Sequence, residues 1–208
     1  MQVNLKSVLI LLAGFTFQSG IAVAAPDNDV SPANKTQFSV LYGGYTLSAP
    51  SLSKPSVSQG SFSLGFQYRI FNRISAIAAY NNLMGQTFNS IVSGVDIGAQ
   101  YCFFNCTAMK QRIGNTATVV SWAPWGIQIG AGLSQRSFLV KTASVGFSGP
   151  FVKLETNYML GDKFKILGAS QFNYMINGSN ILTHLTIQLG LGFDFGENVF
   201  SASNRPSS

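Results

Sequence analysis

Ile181 to Phe195 reads ILTHLTIQLGLGFDF. Taken alternately, Ile181, Thr183, Leu185, Ile187, Leu189, Leu191, Phe193 and Phe195 form one row, and Leu182, His184, Thr186, Gln188, Gly190, Gly192 and Asp194 form the other. A period of two marks a strand, because successive side chains leave opposite faces of the extended backbone. The first row is apolar and the second is mostly small or polar. Soluble strands usually run about 5 or 6 residues, whereas a tilted strand crossing a bilayer needs roughly 9–11 residues in the hydrocarbon, with overhang at each end. The stretch therefore predicts a membrane-crossing strand with its apolar row toward lipid and its polar row toward the inside of a barrel.

The chain begins differently. Lys6 precedes an apolar run from Val8 to Phe17, and Ala22-Val23-Ala24 supplies an A-x-A site before Pro26. A basic residue, a short apolar core and small residues at the cleavage position describe a secretory signal peptide, here residues 1–24. About ten apolar residues are too few for a membrane-anchor helix. A polar lead over residues 25–35, a barrel over 36–195 and a polar tail over 196–208 follow. Only 10% of the chain is charged, yet nothing after Pro26 approaches the unbroken apolar run of a spanning helix. Apolar content spread through alternating segments, with 21 glycines, suits a transmembrane β-barrel instead. The formal net charge of +6 comes from scattered residues, with no basic run, so nucleic acid is not an expected partner.

Alternation of the same kind recurs along the chain. Expected strands are Thr36–Ser48, Ser61–Ile70, Ile74–Asn81, Ser90–Phe103, Trp122–Gln135, Pro150–Leu160, Phe164–Ile176 and Ile181–Phe195. In the second, Phe62, Leu64, Phe66, Tyr68 and Ile70 oppose Ser61, Ser63, Gly65, Gln67 and Arg69; in the fifth, Trp125, Ile127, Ile129, Ala131 and Leu133 oppose Gly126, Gln128, Gly130, Gly132 and Ser134. Ile77 falls on the polar row, against the pattern. Eight strands place both ends of the barrel chain on one side, with short turns at Phe71–Arg73 and Gly161-Asp162 on that side. Loops at Ala49–Gly60, Asn82–Asn89 and Arg136–Gly149 fall on the other. The connection Asn105–Ser121, long and on the short-turn side, breaks the asymmetry.

A soluble sandwich also alternates, but its outer face must be wet. Here the bulky face is apolar and aromatic, and the other is glycine, serine and glutamine, which do not fill a soluble core. Tyr45, Tyr80, Tyr101, Trp122, Trp125 and Tyr174, near strand ends, suit interfacial girdles. The fold class expected is all-β, a transmembrane antiparallel up-and-down barrel of eight strands.

With this pattern, the chain from Thr36 to Phe195 resembles the small outer-membrane β-barrel proteins of the OmpA transmembrane domain and OmpX type. The closing Leu189-x-Leu191-x-Phe193-x-Phe195 is similar to the terminal strand that the family's barrel-assembly machinery reads, although Gly196 to Ser208 continues beyond it. The resemblance implies an outer-membrane protein of a Gram-negative-type cell, monomeric, with outer-membrane lipid and lipopolysaccharide as surroundings. It implies no cofactor.

Arg69, Asp96, Lys153, Glu155, Lys165, His184 and Asp194 lie on inward rows. Eight strands leave an interior just wide enough for side chains to fill, and charges taken out of water must pair. A polar network plugging the lumen is expected, with a narrow ion path or gate as the sharper alternative. Lys165 and Asp194 stand at the same end of adjacent strands. His184-Leu185-Thr186 resembles the histidine–serine spacing of lipid A deacylases, with threonine replacing serine and the pair on the lumen row. No orienting carboxylate accompanies it, so no catalytic residue is assigned. Cys102 and Cys106 are the only cysteines. In an exported chain their spacing suits a local disulfide that pins the turn, and metal binding by two cysteines without a nearby histidine does not fit. The expected role is structural or surface-interacting, with a small-solute channel and a lipid-modifying enzyme as rivals.

Overall fold

The computed structural model describes residues 30–48, 57–84, 90–113, 117–140 and 143–197. The expected signal peptide, residues 25–29 of the polar lead, parts of the expected loops and of the long connection (49–56, 85–89, 114–116 and 141–142) and residues 198–208 of the polar tail lie outside these residues. The strands are β1 (Val30–Pro32), β2 (Asn34–Ser48), β3 (Val57–Arg69), β4 (Ile74–Met84), β5 (Ser90–Phe104), β6 (Met109–Ile113), β7 (Ala117–Ser121), β8 (Trp125–Val140), β9 (Ala143–Met159), β10 (Phe164–Asn177) and β11 (Asn180–Glu197). No helix occurs among the described residues.

Eight strands, β2–β5 and β8–β11, close into an antiparallel barrel in which each pairs with the next along the chain. The stretch quoted first closes it. Strand β11 pairs with β10 on one side and returns to β2 on the other, in register from Thr183↔Ser48 to Glu197↔Asn34. Closure removes the open sheet edge, so the backbone groups of every barrel strand find partners on both sides. The alternation decides the faces: Ile187, Leu189 and Leu191 are 64%, 69% and 63% exposed on the outside, while His184, Gln188 and Asp194 are buried inside.

The strands run further than their apolar alternation indicated. Val57–Gly60, Asn82–Met84 and most of Arg136–Gly149 belong to strands, so the far-side connections shrink to residues 49–56, 85–89, 141–142 and the tight turn Gly178-Ser179. Serine, glycine and asparagine weaken the strand signal there, but backbone pairing continues wherever a neighbouring strand is available. Ile77 is no exception to the fold: it faces inward, its side chain over the inward-facing Gly130, where a Cβ would lie 3.3 Å from it. The interior also holds Leu41, Phe151, Leu167, Met175 and Leu182, all buried. Apolar side chains are thus interspersed among the polar groups of the lumen.

The connection that broke the asymmetry, Asn105–Ser121, is partly ordered as strands. Strands β6 and β7 form a hairpin and β1 adds to β6, making a separate three-stranded sheet. It sits at the barrel end that carries both chain ends. Ala33, Ala108 and Met159 pack together beneath it, the Ala33 amide donates to the Ala108 carbonyl at 2.8 Å, and Asn34 Nδ2 donates to the Asp162 carbonyl at 2.9 Å. The lead and the long connection thus tie each other across the barrel mouth.

Candidate functional site in the barrel interior

Inward side chains meet at three levels. Nearest the far end, Asp96 on β5 is clamped by Arg136 on β8, with Nη1 to Oδ1 at 2.7 Å and Nη2 to Oδ2 at 3.0 Å. Ser134 Oγ at 2.6 Å, Asn81 Nδ2 at 2.7 Å and Gln171 Nε2 at 2.8 Å donate to the same carboxylate. Donors from three strands, β4, β8 and β10, thus converge on one anion, and Asn173 Nδ2 donates in turn to Ser134 Oγ at 2.7 Å. A forked guanidinium on a carboxylate, with the remaining lone pairs occupied, is the geometry that offsets the large desolvation cost of both ions. His184 is buried within electrostatic reach of Arg136 and Asp96.

In the middle, Lys153 and Glu155 stand two apart on β9 and pair at 2.5 Å, because alternation puts both on the inner face. Gln128 donates to Glu155 Oε1, and Gln67 donates to Ser75 Oγ at 2.9 Å. At the mouth, Lys165 Nζ pairs with Asp194 Oδ1 at 2.9 Å. Gly192 leaves room for that lysine, since a Cβ there would lie 2.9 Å from Lys165 Cγ. Arg69 is half-buried beside Asp194 and reaches the Asn72 carbonyl at 3.0 Å.

The long connection completes this lowest level. Lys165 Nζ donates to the Cys106 carbonyl at 2.9 Å, Thr107 Oγ1 to Asp194 Oδ2 at 3.2 Å, and Asn157 Nδ2 to the Asn105 carbonyl at 3.2 Å. Cys106, Thr107 and Ala108 are buried, so this segment folds into the mouth rather than away from it. Cys102 and Cys106 are disulfide-bonded with Cα atoms 5.9 Å apart, and Asn105 between them adopts a positive φ of 50°. Asparagine tolerates that conformation better than most residues. Both sulfurs belong to buried residues, so native protein is expected to resist thiol reductants and alkylation until it unfolds. Replacing both cysteines with serine is expected to cost about 2 kcal/mol, the chain-entropy value for so short a loop. Intact mass after alkylation and unfolding in denaturant check the two statements.

Of the seven charged or titratable residues expected in the interior, Lys153 and Glu155 form one pair and Lys165 and Asp194 another; Arg69 stands at the mouth. Asp96 pairs with Arg136, which the sequence reading places in a loop. A signal existed: Arg136 continues the inward row of Gly126, Gln128, Gly130, Gly132 and Ser134. His184 and Thr186 both face inward and are buried, and Thr186 Oγ1 lies 3.4 Å from the Gln171 carbonyl. Among the described residues the interior cavities are small, about 30 Å³ near Lys153, Gln100 and Gln188 and about 10 Å³ near Arg69 and Thr107. The larger has room for about two or three waters. No group of residues suited to holding a metal occurs among the described residues.

No family model matches the sequence, and no curated protein matches it. Among solved structures, the fold is similar to that of Neisserial surface protein A, at 12% identity and a TM-score of 0.56, over 77% of this chain and 97% of that one. The outer membrane protein OprG from Pseudomonas aeruginosa aligns at 11% identity and a TM-score of 0.49, over 79% of this chain and 98% of that one. The N-terminal β-barrel domain of Pseudomonas aeruginosa OprF aligns at 10% identity and a TM-score of 0.48, over 78% and 99%. The likeness is one of fold: the chain has the architecture of the small outer-membrane barrels.

Proposed function

We propose that the chain is an integral outer-membrane protein of a Gram-negative-type cell, exported by a cleaved signal peptide, with a non-conducting lumen and a structural or surface-interacting role. The observation that carries this reading is the exterior. Phe38, Tyr42, Ile97, Leu133, Ile187 and Leu189, from four strands, are exposed large apolar residues on one continuous barrel surface. Water does not support such a surface on a monomer, whereas in lipid a closed barrel satisfies its backbone and presents that face to acyl chains. Polar side chains meet across the interior at three levels, and this supports a plugged lumen.

Three measurements test the reading separately. Unboiled and boiled samples of the outer-membrane fraction are expected to migrate differently in SDS gels, because a closed barrel resists the detergent until heated; a soluble periplasmic protein without a shift overturns the membrane reading. In planar bilayers the purified barrel is expected to give no sustained current. Steady single-channel conductance overturns the plug and leaves the barrel standing. The inward placement of His184 and Thr186 supports a non-enzymatic role, since a lipid substrate would approach from outside. An unchanged lipid A mass profile on overexpression is the corresponding outcome. The barrel-assembly machinery, reading the strand that ends at Phe195, is the partner in biogenesis, and the folded protein is a monomer in outer-membrane lipid and lipopolysaccharide.

A further inference from the structure

Among the described residues, exposed charge is confined to one end of the barrel. Among the residues whose side chains are described, the exposed charged ones are Lys35, Arg73 and Lys163, at the start of β2 and in the turns β3–β4 and β9–β10. All three lie at the end that carries the chain termini, and the two turns are on opposite sides of the barrel. Arg69 is half-exposed at the same rim, and Asp162 is the half-exposed acid there. The far-end residues whose side chains are described, in contrast, carry no exposed charge, and the Asp96–Arg136 pair nearest that end is buried. Lys54 and Lys141 belong to connections outside the described residues.

An aromatic belt stands directly beside this basic rim. Trp125 and Tyr158 meet edge to face with centroids 4.9 Å apart, and Phe164 and Phe193 lie 4.9 Å apart on the next pair of strands. Phe195 continues toward Phe66 at 6.4 Å, and Arg73 Nη1 approaches the Tyr101 hydroxyl at 3.4 Å. Aromatic rings of this kind mark the level of lipid headgroups. Cations beside them, as Lys163 is next to Phe164 in sequence and Arg73 is against Tyr101, reach the headgroup phosphates on flexible stems.

We propose that the termini end of the barrel is an anionic-phospholipid-binding rim, in which Lys35, Arg73 and Lys163 gather acidic headgroups such as phosphatidylglycerol around the aromatic belt. The inference rests on the membrane-barrel reading. A juxtamembrane cation contributes about 1 kcal/mol to attraction for an anionic surface, equivalent to roughly a fivefold preference, and that contribution falls off within a Debye length.

The chain carries a built-in reporter, for its only tryptophans, Trp122 and Trp125, are both exposed at this rim. The mature protein is reconstituted into phosphatidylcholine vesicles containing a minority of phosphatidylglycerol, with brominated acyl chains on one lipid or the other, and tryptophan quenching is compared at equal bromine content. Brominated phosphatidylglycerol is expected to quench as though enriched about fivefold near the tryptophans. The excess is expected to vanish in the Lys35→Gln/Arg73→Gln/Lys163→Gln variant and to shrink at about 0.5 M salt. Equal quenching by the two lipids, in protein that shows the heat-dependent gel shift, overturns the rim and leaves the barrel reading intact. An excess that persists in a variant retaining the gel shift assigns the selectivity elsewhere and also overturns it. Absence of quenching by either lipid, without a gel shift, removes the membrane reading and the rim together.

Discussion

Arg136→Ala is expected to destabilise the refolded barrel by about 3–5 kcal/mol, the usual consequence of stranding one member of a buried ion pair. The stranded member is Asp96, which would keep Ser134, Asn81 and Gln171 as neutral donors but lose both guanidinium bonds. The gel-shift midpoint in a temperature series, or equilibrium unfolding in denaturant from detergent micelles, measures the loss. Asp96→Asn combined with Arg136→Met is expected to recover a large part of it, because the double change removes both charges and leaves an amide among hydrogen-bonding neighbours. The coupling between the two sites, taken from a double-mutant cycle, is the informative quantity. A loss below about 1 kcal/mol for Arg136→Ala would mean that water reaches Asp96 and that the upper level of the lumen is wet.

Gly190→Val is the second large effect, and its sign opposes the local preference. Valine favours strands, and position 190 lies in the middle of the long strand β11. A Cβ at Gly190 would nevertheless run into the Val40 carbonyl oxygen of the neighbouring strand and approach Leu41 Cα to 2.8 Å. The obstacle is backbone, which cannot turn away as a side chain can. Opening the β2–β11 seam, where the first and last barrel strands meet, is the means of relief. A loss of more than about 3 kcal/mol is expected, with a matching fall in folding yield. Gly146→Ala serves as the control, since a Cβ there meets nothing within 4 Å. Comparable folding yields for the two variants would contradict the close approach at the seam.

Reading residues alternately located the barrel, but it ended the strands early wherever serine, glycine and asparagine diluted the apolar row. Arg136 shows the consequence. It obeys the inward parity of β8, yet lies just past the last strongly apolar pair, and so it reads as a loop residue until the pairing Gly94↔Arg136 places it opposite β5. Leu41, Phe151 and Leu167 show the converse. Their apolarity argues for the lipid face, but the parity they share with Gln37, Glu155 and Lys165 sends them into the lumen, where Leu41 and Leu167 pack with Ala169. The mouth was the least legible part. Nothing local to Cys106 or Thr107 announces that they will bond to Lys165 and Asp194, which are far along the chain.

By itself, then, the sequence determined the class of structure and which side chains face outward, because both follow from a two-residue repeat carried by each strand independently. It also determined that the interior would be polar and charged. The tertiary structure alone decided which charges meet, how the long connection enters the mouth, and where the glycines must stay glycine. Those depend on register between strands and on closure of β11 against β2, and a side-chain period that is the same in every strand carries no information about either.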